Sequence, residues 1–200
     1  PYGYNSFYFD ITKQLMPGKK NTLAVRLENL PESSRWYPGA GLYRNVHVIV
    51  TENAHIPVWG TYVTTPTATK EFAKVNVRTQ IVLLEGADAG KYSVKTSVWN
   101  PNGQKLTEQT IPLSQIKYND NSLSQEFIIQ TPTLWSPDMP ALYSAETRLY
   151  EGDQLKDIYT TPFGIRSIEI IPNKGFFLNG EKTVFKGVCN HHDLGPLGAA

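Results

Sequence analysis

Apolar and polar residues alternate with period two along much of the chain. Leu23, Val25 and Leu27 alternate with Ala24, Arg26 and Glu28, and Val46, Val48 and Val50 with His47 and Ile49, the pattern of half-buried strands. Between them, residues 31–41 form a loop rich in Pro, Gly and Ser that carries Arg35, Trp36 and Tyr37. Large aromatics in such a loop predict a docked segment, because an exposed one would leave their surface in water.

After His55-Ile56-Pro57 a denser series of strands begins. Val75, Val77, Ile81 and Leu83 share one face, and Tyr92, Val94, Thr96 and Val98 share another. Asn100-Pro101-Asn102-Gly103 supplies the turn of a hairpin, since Gly accepts positive φ and Pro fixes its own. Further strands are predicted over Leu123–Ile129, Leu142–Tyr150 and Leu155–Thr160, the last two joined through Glu151-Gly152-Asp153. About seven short strands with turns between them are the pattern of an immunoglobulin-like sandwich. From Phe163 a third part follows: Ile168 and Ile170, then Gly175–Leu178, an Asn179-Gly180 tight turn, and Thr183–Val188 pairing back as a hairpin. No segment has a sustained helical period with caps, so the chain is expected to be all-β in this region.

The 19 basic and 18 acidic residues leave a formal charge of +1 with no long run of either sign, which disfavours nucleic acid as a partner. No apolar stretch reaches the roughly 20 residues of a membrane span, and residues 1–20 lack a signal-peptide pattern, so the chain reads as soluble. The compartment is left open, periplasmic or extracellular if an export signal lies upstream. Cys189 is the single cysteine, which excludes an internal disulfide. The sequence opens on Pro1 and closes on Pro196-Leu197-Gly198-Ala199-Ala200, and we expect it to be an internal piece of a longer protein.

Candidate chemistry is sparse. His191, His192 and Asp193 are suited by type to metal binding or proton transfer. Neighbours on an extended backbone point to opposite faces, so hydrogen bonding to a ligand, or a purely structural loop, is the better reading. Cys189 follows a predicted buried strand and is read as packing. Arg35, Trp36, Tyr37, Tyr43 and Arg44 surround a Gly-rich turn and suit either a sugar-stacking patch or, preferably, a loop pinned to a neighbouring domain. Trp99 and Trp135 are expected in core packing. No nucleophile elbow, phosphate loop, dinucleotide turn, Cys-x-x-Cys or His-Glu-x-x-His occurs, so no cofactor or metal is expected in this chain.

Three segments, in order, resemble glycoside hydrolase family 2, the family of β-galactosidases, β-glucuronidases and β-mannosidases. Trp36-Tyr37-Pro38-Gly39-Ala40-Gly41-Leu42-Tyr43-Arg44-Asn45-Val46 is similar to the end of the family's sugar-binding jelly roll. Leu134-Trp135-Ser136-Pro137 with Pro140-Ala141-Leu142-Tyr143 is similar to the late part of its immunoglobulin-like domain. Phe163-Gly164-Ile165-Arg166-Ser167-Ile168-Glu169, Phe177-Leu178-Asn179-Gly180 and Lys186-Gly187-Val188-Cys189-Asn190-His191 resemble the entry to its catalytic (β/α)8 barrel. The resemblance implies an immunoglobulin-like β-sandwich at 56–164, flanked by part of a jelly roll at 1–55 and the first hairpin and strand of a barrel at 165–200.

It also implies a retaining mechanism that needs two carboxyl groups roughly 5 Å apart. In the family both are glutamates on later barrel strands, the acid/base within an Asn-Glu pair, and no such pair occurs here. The chain alone is therefore expected to be inactive, a scaffold within an enzyme that is most simply a β-galactosidase. A β-glucuronidase or β-mannosidase parent and a stand-alone β-sandwich module binding carbohydrate or protein are the alternatives. By the same resemblance His191 reaches the sugar, and Asn45 stands where some β-galactosidases carry an aspartate that approaches the sugar and helps hold sodium. Asn45 keeps the carbonyl acceptor without the charge. Sodium or magnesium remains open for the full enzyme, as does a homo-oligomer formed through exposed strand edges. The implied partner is a β-galactoside-type carbohydrate.

Overall fold

The computed structural model describes residues 5–28, 30, 41–42, 44–83, 86–115 and 121–188. These divide into two units, one holding the described residues up to Ile49 together with Lys186–Val188, the other Val50–Phe185. The described residues contain strands and three short 3-10 turns and no α-helix.

The larger unit is an immunoglobulin-like sandwich. One sheet has the order β2-β3-β7 and the other β6-β5-β8-β9, all neighbours antiparallel. The strands are β2 (Thr61–Ala68), β3 (Phe72–Gln80), β5 (Tyr92–Trp99), β6 (Lys105–Pro112), β7 (Ser122–Gln130), β8 (Tyr143–Glu151) and β9 (Gln154–Phe163). Two short ladders flank them: β1 (Ala54–His55) pairs with β4 (Val82–Leu83), and β10 (Ile168–Ile171), β11 (Gly175–Leu178) and β12 (Glu181–Lys182) form a separate three-stranded sheet.

Period-two alternation builds the interior. Ala73, Val75 and Val77 on β3 meet Val98 on β5, Phe127 and Ile129 on β7, and Ala145 on β8 in one apolar cluster. Ile81, Tyr92, Val94, Leu123 and Leu149 form a second, closed by Ala54 and Ile56. Each fully buried Val or Leu stabilises by about 1.5–3 kcal/mol. Between the clusters β3, β5, β7 and β8 place Thr79, Thr96, Gln125 and Thr147, all essentially inaccessible. Thr96 Oγ1 donates to Gln125 Oε1 at 2.6 Å, and Gln125 Nε2 donates to the Gln109 carbonyl at 3.0 Å. Unpaired, Thr96 and Gln125 would each cost about 1–3 kcal/mol, so their bond fixes which strands face one another, while Thr79 Oγ1 has no hydrogen-bond partner among the described residues.

The turns follow their chemistry. Asn100 Oδ1 accepts from the amides of Asn102 and Gln104, and Gly103 has φ +77°, closing the β5–β6 hairpin. At the start of β8 the Tyr143 hydroxyl accepts from the Thr133 amide at 2.8 Å, the corner that ties the strand to the chain before it. A bulge in β9 between Leu155 and Asp157 leaves Lys156 outside the ladder and redirects its side chain to Glu52 and Glu151, each at 3.2 Å.

That redirected lysine has a consequence at high pH. Hydrogen bonds to Glu151 and Glu52 hold the Lys156 ammonium above its ordinary value of 10.5, and burial, assisted by Glu151, raises the Tyr92 phenol above 10.0. Between the unfolded and folded pKa values the folded state binds more protons, so stability falls as pH rises. The contribution is complete below about pH 10 and is lost above it. Melting curves from pH 8 to 11 should show Tyr92→Phe and Lys156→Met flattening that fall, and slopes matching the parent chain would refute the assignment.

Two strand expectations are corrected. Residues 23–27 and 46–50 form no strand, and Leu23, Val25, Val46, Val48 and Val50 are exposed, at 66, 46, 62, 77 and 90 %. A strand is a relation between two segments, and the described residues of that unit bring no ladder partner to these. What order the unit shows is local: Asn21 closes a turn by accepting from the Met16 amide and donating to the Met16 and Lys19 carbonyls. Likewise, the return strand of the last hairpin is Glu181–Lys182, and 183–188 lie outside the ladder after one further bond from the Thr183 amide to the Phe176 carbonyl. Arg35, Trp36, Tyr37, Tyr43, Cys189, His191, His192 and Asp193 lie outside the described residues.

Candidate functional site

Of the two residues expected to reach a sugar, His191 lies outside the described residues, and Asn45 is exposed on a segment without regular structure. Its neighbour Arg44 donates to Ser6 Oγ at 3.4 Å. As an amide, Asn45 offers a neutral oxygen. Among the described residues no group of three or more His, Cys, Asp or Glu gathers that could hold a metal ion. Also among them, no helix is long and apolar enough to cross a membrane.

What the structure does bring together, within the larger unit, is the second motif segment and the third. Their meeting point starts from Trp135, whose amide donates to the Ile165 carbonyl at 2.8 Å and whose carbonyl accepts from Asn179 Nδ2 at 3.0 Å. Asn179 Oδ1 in turn accepts from the Ser167 amide at 3.0 Å, while the Asn179 amide donates to the Ser167 carbonyl at 2.9 Å. Asn179 and Gly180 have φ of +52° and +80°, the pair of left-handed residues that a two-residue hairpin turn requires. One amide side chain thus ties the tip of the β11–β12 hairpin to the sandwich.

The remaining contacts complete this junction. A bulge at Thr65-Pro66 interrupts edge strand β2, where proline's missing amide leaves no ladder bond unmade. It turns the Thr65 hydroxyl to the Arg166 carbonyl, 3.0 Å away. The Arg166 guanidinium lies over the Trp135 ring, 4.8 Å from its centre. Gly164 lets the two segments close up, because a Cβ there would fall 2.9 Å from Trp135 Cβ and Cγ. Ile165, fully buried, anchors the same segment in the first apolar cluster. Beside the junction runs an open groove of about 510 Å³ bordered by Val63, Thr65, Leu142, Pro162, Arg166 and Ile168, among others.

Trp135, expected in core packing, is therefore only partly buried and stands at the rim of the core with Arg166 stacked on it. Asn179 was legible as a turn residue but not as the tie, since its partner Trp135 lies 44 residues earlier. None of the perturbed titrating groups borders the groove. Glu108 is held below the usual carboxylate range by its hydrogen bond from Lys105, and Arg148 is held further up by Tyr150 and Glu146. Both belong to surface ion pairs of the four-stranded sheet. The described site is thus an architectural junction with one unneutralised cation, and it holds no acid–base pair.

Residues 54–166, more than half of the chain, match the family model described as Glycosyl hydrolases family 2. A β-galactosidase of Bacteroides ovatus, BoGH2A, is 39% identical across 100% of this chain and 24% of its own length. A β-glucuronidase of Bacteroides fragilis is 30% identical across 99% of this chain and 30% of its own. Among solved structures, a β-glycosidase from Bacteroides vulgatus superposes with a TM-score of 0.69 at 32% identity, covering 82% of this chain and 20% of that one. A glycosyl hydrolase family 2 member from Bacteroides cellulosilyticus gives 0.65 at 35%, covering 74% and 20%. The chain spans less than a third of the length of these relatives. With the sandwich, the junction and the family match in agreement, the chain belongs to glycosyl hydrolase family 2.

Proposed function

We propose that the parent protein is a retaining glycosidase acting on β-galactosides, and that residues 1–200 serve in it as scaffold, without turnover of their own. The observation that carries this reading is the 39% identity, over the whole chain, with a relative named as a β-galactosidase that is about four times longer. A retaining mechanism needs one carboxyl as acid/base and another as nucleophile roughly 5 Å away. The chain has no Asn-Glu pair, and the described residues offer no paired carboxylates in a cleft. In this reading 1–55 belong to a sugar-binding jelly roll, 56–164 are the spacer sandwich, and 165–200 open the catalytic barrel. His191 and Asn45 then face the sugar from the scaffold side.

A β-glucuronidase parent is the second reading, favoured by the B. fragilis relative of that name. Chromogenic β-galactoside and β-glucuronide assays separate the two. We expect the full-length protein to hydrolyse the galactoside and the 200-residue chain to hydrolyse neither. Turnover by the chain alone would overturn the scaffold reading, and a preference of the full-length protein for the glucuronide would select the second. In the full-length protein, Asn45→Ala should raise KM for the galactoside roughly three- to tenfold, the worth of one hydrogen bond. Unchanged kinetics would remove Asn45 from the sugar site.

A further inference from the structure

The guanidinium at the junction is held in place yet has no anionic partner. Arg166 stacks on Trp135 and its carbonyl is fixed by Thr65, but among the described residues its side chain makes no ion pair. An arginine immobilised on an aromatic face has already given up much of its rotamer freedom, so a carboxylate meeting its fork of donors loses little further entropy. The groove it borders sets apolar side chains, Leu142 and Ile168 among them, beside Thr64 and Thr65. Leu142 and Ile168 are 51 and 55 % exposed, and Ile170, on the same face of β10, is 77 % exposed. The surface therefore calls for an occupant that offers an apolar side chain beside a carboxylate.

The structure also selects among occupants. A small ligand is buried over most of its surface in its site, and this groove lies open along one side. A second copy docking groove to groove about a two-fold axis would offer Arg166 no anionic partner, since no carboxylate lines the groove. The chain's net charge of +1 gives no general attraction for an acidic partner. By contrast, some three-quarters of the length of the B. ovatus relative lies outside the matched region, and the groove is built from segments within that match.

We propose that the groove beside Trp135 and Arg166 is a docking cleft for a segment of the parent polypeptide outside residues 1–200, one that seats an apolar side chain against Leu142 and Ile168 and pairs an aspartate or glutamate with Arg166. The proposal rests on the reading of the chain as part of a longer glycosidase.

Phenylglyoxal, which modifies accessible guanidinium groups, tests it directly. The rate of Arg166 modification is measured by peptide mass spectrometry in the 200-residue chain and in the full-length protein. We expect modification at least tenfold slower in the full-length protein, and in the 200-residue chain a fast rate that does not depend on concentration. Equal rates would overturn the proposal, and slow, concentration-dependent labelling of the 200-residue chain would assign the groove to a second copy instead. In the full-length protein, Arg166→Glu should lower Tm while Arg166→Lys restores most of it, with Lys174→Glu as a charge-matched control that changes neither. An Arg166→Glu effect no larger than the control's would also count against the pairing. Full-length protein that cleaves no glycoside yet shows the tenfold contrast would retire the functional reading and leave the cleft standing.

Discussion

Leu149→Ala will lower the stability of the sandwich by about 2–5 kcal/mol, a fall in Tm of roughly 6–15 °C for a unit of this size. Leu149 is fully buried and faces Val94 across the β5–β8 ladder, within the cluster that also holds Tyr92, Leu123 and Ile81. The cost depends on how far the surroundings collapse into the space left behind, and here collapse is obstructed. Thr79, Thr96, Gln125 and Thr147 stand between this cluster and the other, and the Thr96–Gln125 bond at the centre of that layer resists the shift of an apolar side chain across it. An upper-range value is therefore expected. Leu155→Ala, at a half-exposed position on β9, should stay within about 0.5 kcal/mol. Urea unfolding monitored by tryptophan fluorescence measures both, and similar midpoints for the two variants would contradict the two-cluster core.

The same core shows what the sequence could and could not disclose. Inward positions such as Val75 and Val77, or Val94 and Val98, are legible because period two places them on one face whatever their partner. The Asn100–Gly103 and Asn179–Gly180 turns are legible because their backbone demands are local. Pairing is not local. Leu23–Leu27 and Val46–Val50 alternate as cleanly as any strand here, yet they are exposed, since alternation says which face is apolar and not which segment supplies the ladder. Conversely β2 carries Pro66 and four threonines, reads as a poor strand, and forms one because it lies at a sheet edge with a bulge where the proline falls. The polar layer needed the register of four strands before Thr96 and Gln125 could be seen to meet.

The junction was legible in a different sense. Trp135, Gly164, Arg166 and Asn179 all fall in the segments that carry the family resemblance, but nothing in their spacing said that they touch. The sugar-facing residues were reached only by resemblance, and their roles remain a proposal: Asn45 is placed on the surface, and His191 lies outside the described residues.

Asn179→Ala will destabilise the hairpin of β10, β11 and β12 by about 2–5 kcal/mol relative to the sandwich. Two hydrogen bonds go, one from the Ser167 amide and one to the Trp135 carbonyl, each with a net worth of about 0.5–1.5 kcal/mol. The alanine must also hold φ near +52°, which costs an L-residue without a local polar side chain roughly 1–2 kcal/mol. Three variants resolve these contributions. Asn179→Gly keeps the backbone free and loses both bonds, so it should fall between the parent and alanine. Asn179→Asp keeps the acceptor for Ser167 and loses the donor to Trp135, so it should retain about half the stability that glycine loses. Amide exchange at Phe177 and Ile170, both within the hairpin ladder, reports the local opening free energy without requiring the sandwich to unfold. Because the groove lies between β2 and the start of β10, faster exchange there in Asn179→Ala should coincide with faster phenylglyoxal modification of Arg166 in the full-length protein. Exchange that accelerates while Arg166 stays shielded would mean that the parent polypeptide grips Arg166 independently of the hairpin's seat on Trp135.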